Sequence, residues 1–132
     1  MNVPTNSKGF TLVEQLAVIA IIGILAAIAI SIYFYAIDKA RVTSGISALR
    51  TLRTEIETYN IDKGLYPSNI NFTNFTDQNG APVLSPINFG RIKDKVYSWD
   101  SYTAGANTYT LTAKALDSKH TLLTLTPRGI TY

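Results

Sequence analysis

One carboxylate, Glu14, stands among apolar residues at the start of a long uncharged stretch. Of the 12 basic and 9 acidic residues in the chain, only Lys8 and Glu14 precede Asp38. A carboxylate inside a bilayer costs about 2.5–3.5 kcal/mol, so such a residue is expected to serve a function and to have a partner. No basic residue follows within helical reach, and Lys8 does not share a helix face with Glu14. Glu14 is therefore the leading candidate for a functional side chain.

Other polar side chains give weaker indications of a site. His120 falls in a predicted turn with no His or Asp cluster around it, which favours an exposed turn residue. Asp77 begins an oxygen-rich Asp-Gln-Asn-Gly sequence, and Asp94 and Asp117 are scattered, so the three are weak calcium candidates. The sequence contains no nucleophile elbow, phosphate-binding loop, metal-ligand spacing or cysteine. It therefore predicts neither enzyme activity nor a cofactor.

The residues around Glu14 form a specific motif. Lys8-Gly9-Phe10-Thr11-Leu12-Val13-Glu14 is followed directly by the apolar stretch. This arrangement closely resembles the class III signal of type IV pilins and type II secretion pseudopilins. The resemblance implies that a prepilin peptidase cuts between Gly9 and Phe10, and that the new amine of Phe10 is N-methylated. It also implies that Glu14 pairs with the N-terminal amine of an adjacent subunit during assembly.

The apolar stretch predicts a helix that crosses a membrane. Leu16–Ile30 is unbroken apolar, and after Ser31 the run continues to Ile37. A bilayer core needs about 20 apolar residues in a helix, and the polar face of a soluble core helix is missing. A cleaved secretory signal, a plain anchor and a buried core helix are the alternatives. Many members of the family have a proline where this chain has Ser31, so Gly23 and Ser31 are the remaining candidate weak points of the helix.

Beyond the apolar stretch, the pattern predicts an amphipathic continuation of the same helix. The helix is expected to end near Asp62, because Lys63-Gly64 supplies a glycine at the position that terminates helices and Tyr66-Pro67 follows. The segment from Tyr59 to Pro67 also resembles the helix end of many pilins. The predicted buried stripe has apolar side chains at helical steps: Val42, Ile46, Leu49, Leu52, Ile56 and Tyr59.

The remaining chain predicts a small α+β body of the pilin type. Residues 63–94 are expected to form a loop, which includes two sequon-shaped Asn-Phe-Thr triplets. Residues 95–132 are expected to form a three-stranded antiparallel sheet packed on the helix, with the strands at 96–102, 108–115 and 122–126 and a tail at 130–132. The predicted organisation is a leader at 1–9, a membrane and filament-core helix half at 10–37, and a globular domain at 38–132.

The resemblance implies a structural subunit of a type IV filament, polymerised into a type IV pilus. Two alternatives remain: a major-type pseudopilin of a type II secretion system that drives protein export, and a minor pilin that binds DNA or surfaces. The implied partners are other copies of the chain, other pilins, the prepilin peptidase and an inner-membrane assembly platform. The small net charge of +3 gives no reason to expect nucleic acid. The implied location is the bacterial inner membrane before assembly, and then an extracellular pilus or a periplasmic pseudopilus.

Overall fold

The computed structural model describes residues 9–132. The chain divides into two compact units, Met1–Ala36 and Ile37–Tyr132. One helix, α1 (Leu12–Lys63), supplies residues to both. Every described residue of the first unit is exposed, and the helix there is long and apolar enough to cross a membrane. A helix that is apolar on all sides needs an apolar environment beyond its own chain.

In the second unit, α1 is one-sided, as its apolar spacing predicted. Its buried positions recur at three- and four-residue steps: Gly45, Ala48, Leu49, Leu52 and Ile56. The predicted end of the helix is also confirmed. Gly64 has a φ of +75°, and its amide donates to the carbonyl of Asn60 at 2.8 Å. Glycine adopts this left-handed conformation without the steric penalty of a side chain.

The sheet that packs on α1 has four strands rather than the three predicted. The strands β1 (Ser98–Ala104), β2 (Tyr109–Lys114), β3 (Leu122–Thr126) and β4 (Gly129–Thr131) lie in sequence order and pair antiparallel. The segment predicted as a tail is largely β4. It can turn back on β3 because Gly129 has a φ of +152°, a conformation that few other residues adopt.

The loop between α1 and the sheet contains a second helix, α2 (Pro86–Ile92). The Ser85 hydroxyl accepts a hydrogen bond from the Asn88 amide and so caps this helix. Both side chains also donate to the Glu55 carboxylate on α1, which fixes α2 beside the long helix. Earlier in the loop, Phe75 is fully buried, so this polar segment is anchored by packing.

The core lies between the inner faces of α1 and the sheet. Alternate residues of β2 and β3 face inward, and their aliphatic members Leu111, Leu123 and Leu125 are fully buried together with Leu49 and Leu52. Period-two burial of this kind leaves one face of an antiparallel sheet for solvent and one for the core. The inner face packs tightly against α1 at Gly45, where an added Cβ would lie 2.8 Å from a methyl group of Leu123.

Candidate assembly site

Glu14 lies in the first turn of α1 and forms a reciprocal cap with Thr11. The amide and the hydroxyl of Thr11 both donate to Oε2 of Glu14, at 2.8 and 2.9 Å. In return, the Glu14 amide donates to the Thr11 hydroxyl at 3.3 Å. This arrangement is a capping box, which satisfies amides that the helix itself leaves without an acceptor.

The capping box gives Glu14 a partner within its own chain, although the sequence predicted none because no basic residue lies within helical reach. The neutral amide and hydroxyl groups of Thr11 donate hydrogen bonds to one oxygen of the Glu14 carboxylate within the same chain. Among the described residues, no hydrogen bond reaches the other oxygen, Oε1, and no basic group lies within ion-pair distance of the carboxylate. The side chain is also exposed. Glu14 can therefore keep its helix capped through Oε2 while Oε1 accepts a positively charged group from elsewhere.

The two residues of the predicted cleavage site precede the helix. Gly9 and Phe10 are exposed and lie outside α1, and no atom lies within 4 Å of the position that a Cβ on Gly9 would occupy. Most of the predicted leader, residues 1–8, lies outside the described residues. Gly23 and Ser31 lie within an unbroken helix, so their role as weak points stays a prediction about the assembled state.

The weak calcium candidates are on three separate loops. Asp77 accepts hydrogen bonds from the hydroxyl of Tyr59 at 2.7 Å and from the amides of Asn79 and Ala81, each at 2.8 Å. Asp117 accepts two from Thr121, by its amide at 2.8 Å and its hydroxyl at 2.7 Å. These two carboxylates therefore close their own turns.

Asp94 is exposed in the segment between α2 and β1. Within residues 9–132, no three acidic or histidine side chains come together as metal ligands. His120 lies in the β2–β3 loop with a φ of 49°, and its ring stacks on that of Tyr97 at 3.9 Å between centroids.

The hydrogen bonds at the two turns lower the pKa of both carboxyl groups. The Tyr59 hydroxyl is the largest cause at Asp77, and with the two amides it outweighs the effect of burial, so the pKa lies below the ordinary value. At Asp117, burial raises the pKa, but the hydrogen bonds from Thr121 and from the backbone of the turn together outweigh it, and the pKa is again lowered. Hydrogen bonds to the ionised form favour that form.

We expect the Asp77→Asn variant to be less sensitive to acid than the unchanged chain. Because the pKa of Asp77 is lowered by folding, its contribution to stability is complete above about pH 4, the ordinary carboxyl range. The contribution is lost as the pH falls through the lower pKa of the folded state. Denaturant midpoints of the detergent-solubilised chain between about pH 2 and about pH 7 measure this effect.

A companion variant, Tyr59→Phe, keeps the Asp77 carboxylate and removes its principal donor. We expect its stability to fall less steeply on acidification than that of the unchanged chain, because the pKa of Asp77 returns toward its ordinary value. Parallel stability curves for the unchanged chain and Asp77→Asn would contradict the assignment.

Comparison with known proteins finds the prokaryotic N-terminal methylation motif at residues 4–30. The type IV major pilin protein PilE1 of Neisseria gonorrhoeae is 38% identical over 82 residues, covering 62% of this chain and 34% of the relative. The type IV major fimbrial protein FimA of Dichelobacter nodosus is 51% identical over 55 residues, or 42% of this chain and 35% of the relative. The fimbrial protein EcpC of Eikenella corrodens is 32% identical over 100 residues, or 76% of this chain and 58% of the relative.

This chain therefore spans between about a third and three-fifths of the length of these relatives. Together, the matches confirm the resemblance to the type IV pilin family that the motif around Glu14 indicated.

Proposed function

We propose that this chain is a structural subunit of a type IV pilus and is held in the inner membrane before assembly. The observation that carries the proposal is the position of Glu14 at the start of an apolar helix segment exposed on every side, with one carboxylate oxygen that accepts no hydrogen bond from residues 9–132. A bilayer can cover that segment in the precursor. The same segments of neighbouring subunits can cover one another in a filament.

Processing supplies a positive partner for Glu14, which has none among residues 9–132. Cleavage between Gly9 and Phe10 leaves Phe10 as the new N-terminus, with an amine that is then N-methylated. The exposed position of both residues ahead of α1 supports access by the peptidase. The amine of one subunit meets Oε1 of Glu14 in the next.

The pairing sets the axial register of subunits. The apolar surfaces attract one another at many registers, since burial of apolar area is non-directional. A charge left without its partner in an apolar core costs several kcal/mol. Only the register that pairs amine with carboxylate avoids that cost, so Glu14 selects it from among the others.

The relatives support a pilus subunit over a secretion pseudopilin, because those of Neisseria gonorrhoeae and Dichelobacter nodosus are described as major pilin or major fimbrial proteins. The proposed partners are other copies of the chain, other pilins, the prepilin peptidase and an inner-membrane assembly platform. The finished subunit is extracellular.

Mass spectrometry of sheared surface filaments tests the proposal. We expect the dominant protein to begin at N-methylated Phe10, because the leader is removed and the helix is retained. A chain that is processed but stays in the membrane fraction of a cell with surface filaments would instead indicate a pseudopilin. A chain that starts within the apolar segment would contradict both, since it would mark a cleaved secretory signal.

A further inference from the structure

One edge of the body combines exposed apolar and basic side chains. It centres on the loop that joins β2 to β3, and we call it the edge patch: Tyr97, Leu116, Lys119, His120 and Leu122. Tyr97, Leu116 and Leu122 are 60%, 38% and 51% exposed, and Lys119 and His120 are exposed beside them. The stacked rings of Tyr97 and His120 join the loop to the segment that precedes β1.

The edge patch is bonded to α1 directly after the apolar stretch. Asp38 follows Ile37, the last residue of that stretch. One oxygen of the Asp38 carboxylate accepts the amide of Ser118 at 3.1 Å, and the other accepts the Ser118 hydroxyl. The loop that carries Lys119 is therefore fixed at the level of Asp38.

Asp38 directly follows the apolar segment in the chain, so it emerges at the headgroup layer when that segment spans a bilayer. The helical rise gives the segment from Phe10 to Ile37 a length of about 40 Å. A bilayer with its headgroups is about 40–45 Å thick. This step rests on the proposed membrane-held precursor, and the hydrogen bond from Ser118 to Asp38 keeps the edge patch close to the residue that leaves the bilayer.

The composition of the edge patch suits this environment. Aromatic rings with a polar end concentrate at membrane interfaces, and shallow apolar side chains combined with lysine bind anionic lipid surfaces. Lys39 is exposed next to Asp38 and adds a second positive charge. Two nearby acids are engaged within the body: Asp38 accepts from Ser118 and pairs with Arg41 at 3.8 Å, and Asp117 closes the turn with Thr121. A third, the exposed Asp94 in the segment before β1, is flanked by the exposed Lys93 and Lys95.

We infer that the edge patch docks onto the headgroups of anionic phospholipid in the membrane that the precursor spans. The body is then held at the bilayer by its surface as well as by the helix. Extraction of a subunit into the filament must break this contact along with the lipid contacts of α1. The acidic lipid content of the membrane thereby influences how readily subunits leave it.

Photo-cross-linking of the full chain in vesicles tests the inference. The vesicles contain phosphatidylcholine mixed with phosphatidylglycerol that carries a diazirine either on the headgroup or deep in the acyl chain. Mass spectrometry maps the adducts. We expect acyl-chain adducts within residues 16–37 and headgroup adducts at residues 116–122 of the unchanged chain, a result that needs no variant to fold.

A double variant, Lys119→Gln with Leu122→Ser, should lower the headgroup adducts by at least about fivefold, since the loss of one lysine at an anionic surface alone accounts for that factor. The matched control, Arg128→Gln, removes an exposed basic side chain from the β3–β4 turn at the opposite end of β3. It should leave the adducts unchanged.

The outcomes separate this inference from the proposed function. Two results would overturn the docking but leave the membrane-held precursor intact. In both, acyl-chain adducts form at 16–37; residues 116–122 then show either no headgroup adducts or cross-links between copies of the chain. An equal loss of adducts in the Arg128→Gln control would also overturn it. The absence of acyl-chain adducts at 16–37 would overturn both.

Discussion

The Glu14→Ala variant is expected to be processed and inserted normally, yet to form almost no filaments. In the proposed assembly, the variant leaves the amine of each neighbouring Phe10 in an apolar core without its counter-charge. Breaking a buried ion pair by removing one partner costs about 3–5 kcal/mol, which corresponds to a loss of more than about a hundredfold in subunit affinity. Electron microscopy and the yield of sheared filaments measure the effect, and immunoblotting of membranes checks processing and insertion.

Two further variants separate the charge of Glu14 from its role in the capping box. Glu14→Gln keeps an acceptor that can cap the Thr11 amide, as glutamine does in such boxes, but removes the charge. Thr11→Val removes the hydroxyl that donates to Oε2 and keeps the carboxylate. We expect Glu14→Gln to fail in assembly and Thr11→Val to assemble.

The reverse pattern, with filaments from Glu14→Gln and none from Thr11→Val, would assign Glu14 a purely local role in starting α1. Normal filaments from Glu14→Ala would contradict both roles. Glu14→Gln removes only the charge that would pair with the amine, and Thr11→Val removes only the hydroxyl of the capping box, so the two interactions of the carboxylate are tested separately.

The sequence was sufficient to find Glu14, because a carboxylate next to a stretch long enough to cross a bilayer is costly in that membrane and calls for a function. Its partner within the chain, Thr11, could not be found from opposite charge, because Thr11 is a neutral donor. The spacing Thr11-Leu12-Val13-Glu14 is itself a capping-box pattern, so the signal was present in the sequence. Because the same residues also belong to the predicted cleavage motif, that motif alone was enough to explain their spacing.

Elements long enough to repeat their period several times were predictable from the sequence, and short elements were not. The buried stripe on α1 recurs over several turns, and the helix ends just before Gly64. The alternation of buried residues in β2 covers the whole strand. By contrast, β4 has three residues and α2 has seven, too few to establish a period. The cap at Ser85 and the following Pro86 were the usable signals for α2, but they lay in a segment whose composition favours loops.

The role of Gly45 could not be predicted from the sequence, because it depends on which strand residue lies opposite the helix. A glycine inside a helix normally costs about 1 kcal/mol relative to alanine, which makes it look like a weak point. In the folded body it is buried where α1 packs against Leu123 of the sheet. The missing side chain there makes room for Leu123.

Gly45→Val is therefore expected to destabilise the body by about 2–3 kcal/mol, through overpacking of a well-filled core. The new Cβ would lie 2.8 Å from Cδ1 of Leu123, which is fully buried, and 3.6 Å from a methyl group of Val96. Leu123 has little freedom to move away, since interiors are close-packed. Denaturant unfolding of the full chain in detergent, followed by the fluorescence of its single tryptophan, Trp99, measures the change.

A matched substitution shows whether the effect comes from this contact or from any added side chain. Gly90 lies in α2 with no atom within 4 Å of its Cβ position, so Gly90→Ala should stabilise the body by about 0.5–1 kcal/mol through helix propensity. Shortening the opposing side chain in Leu123→Val should reduce the cost of Gly45→Ala, because two residues in contact give non-additive effects. Two results would contradict this role of Gly45 in how closely the helix packs on the sheet. One is strict additivity of Gly45→Ala and Leu123→Val in the free energy of unfolding, and the other is a Gly45→Val chain as stable as the original.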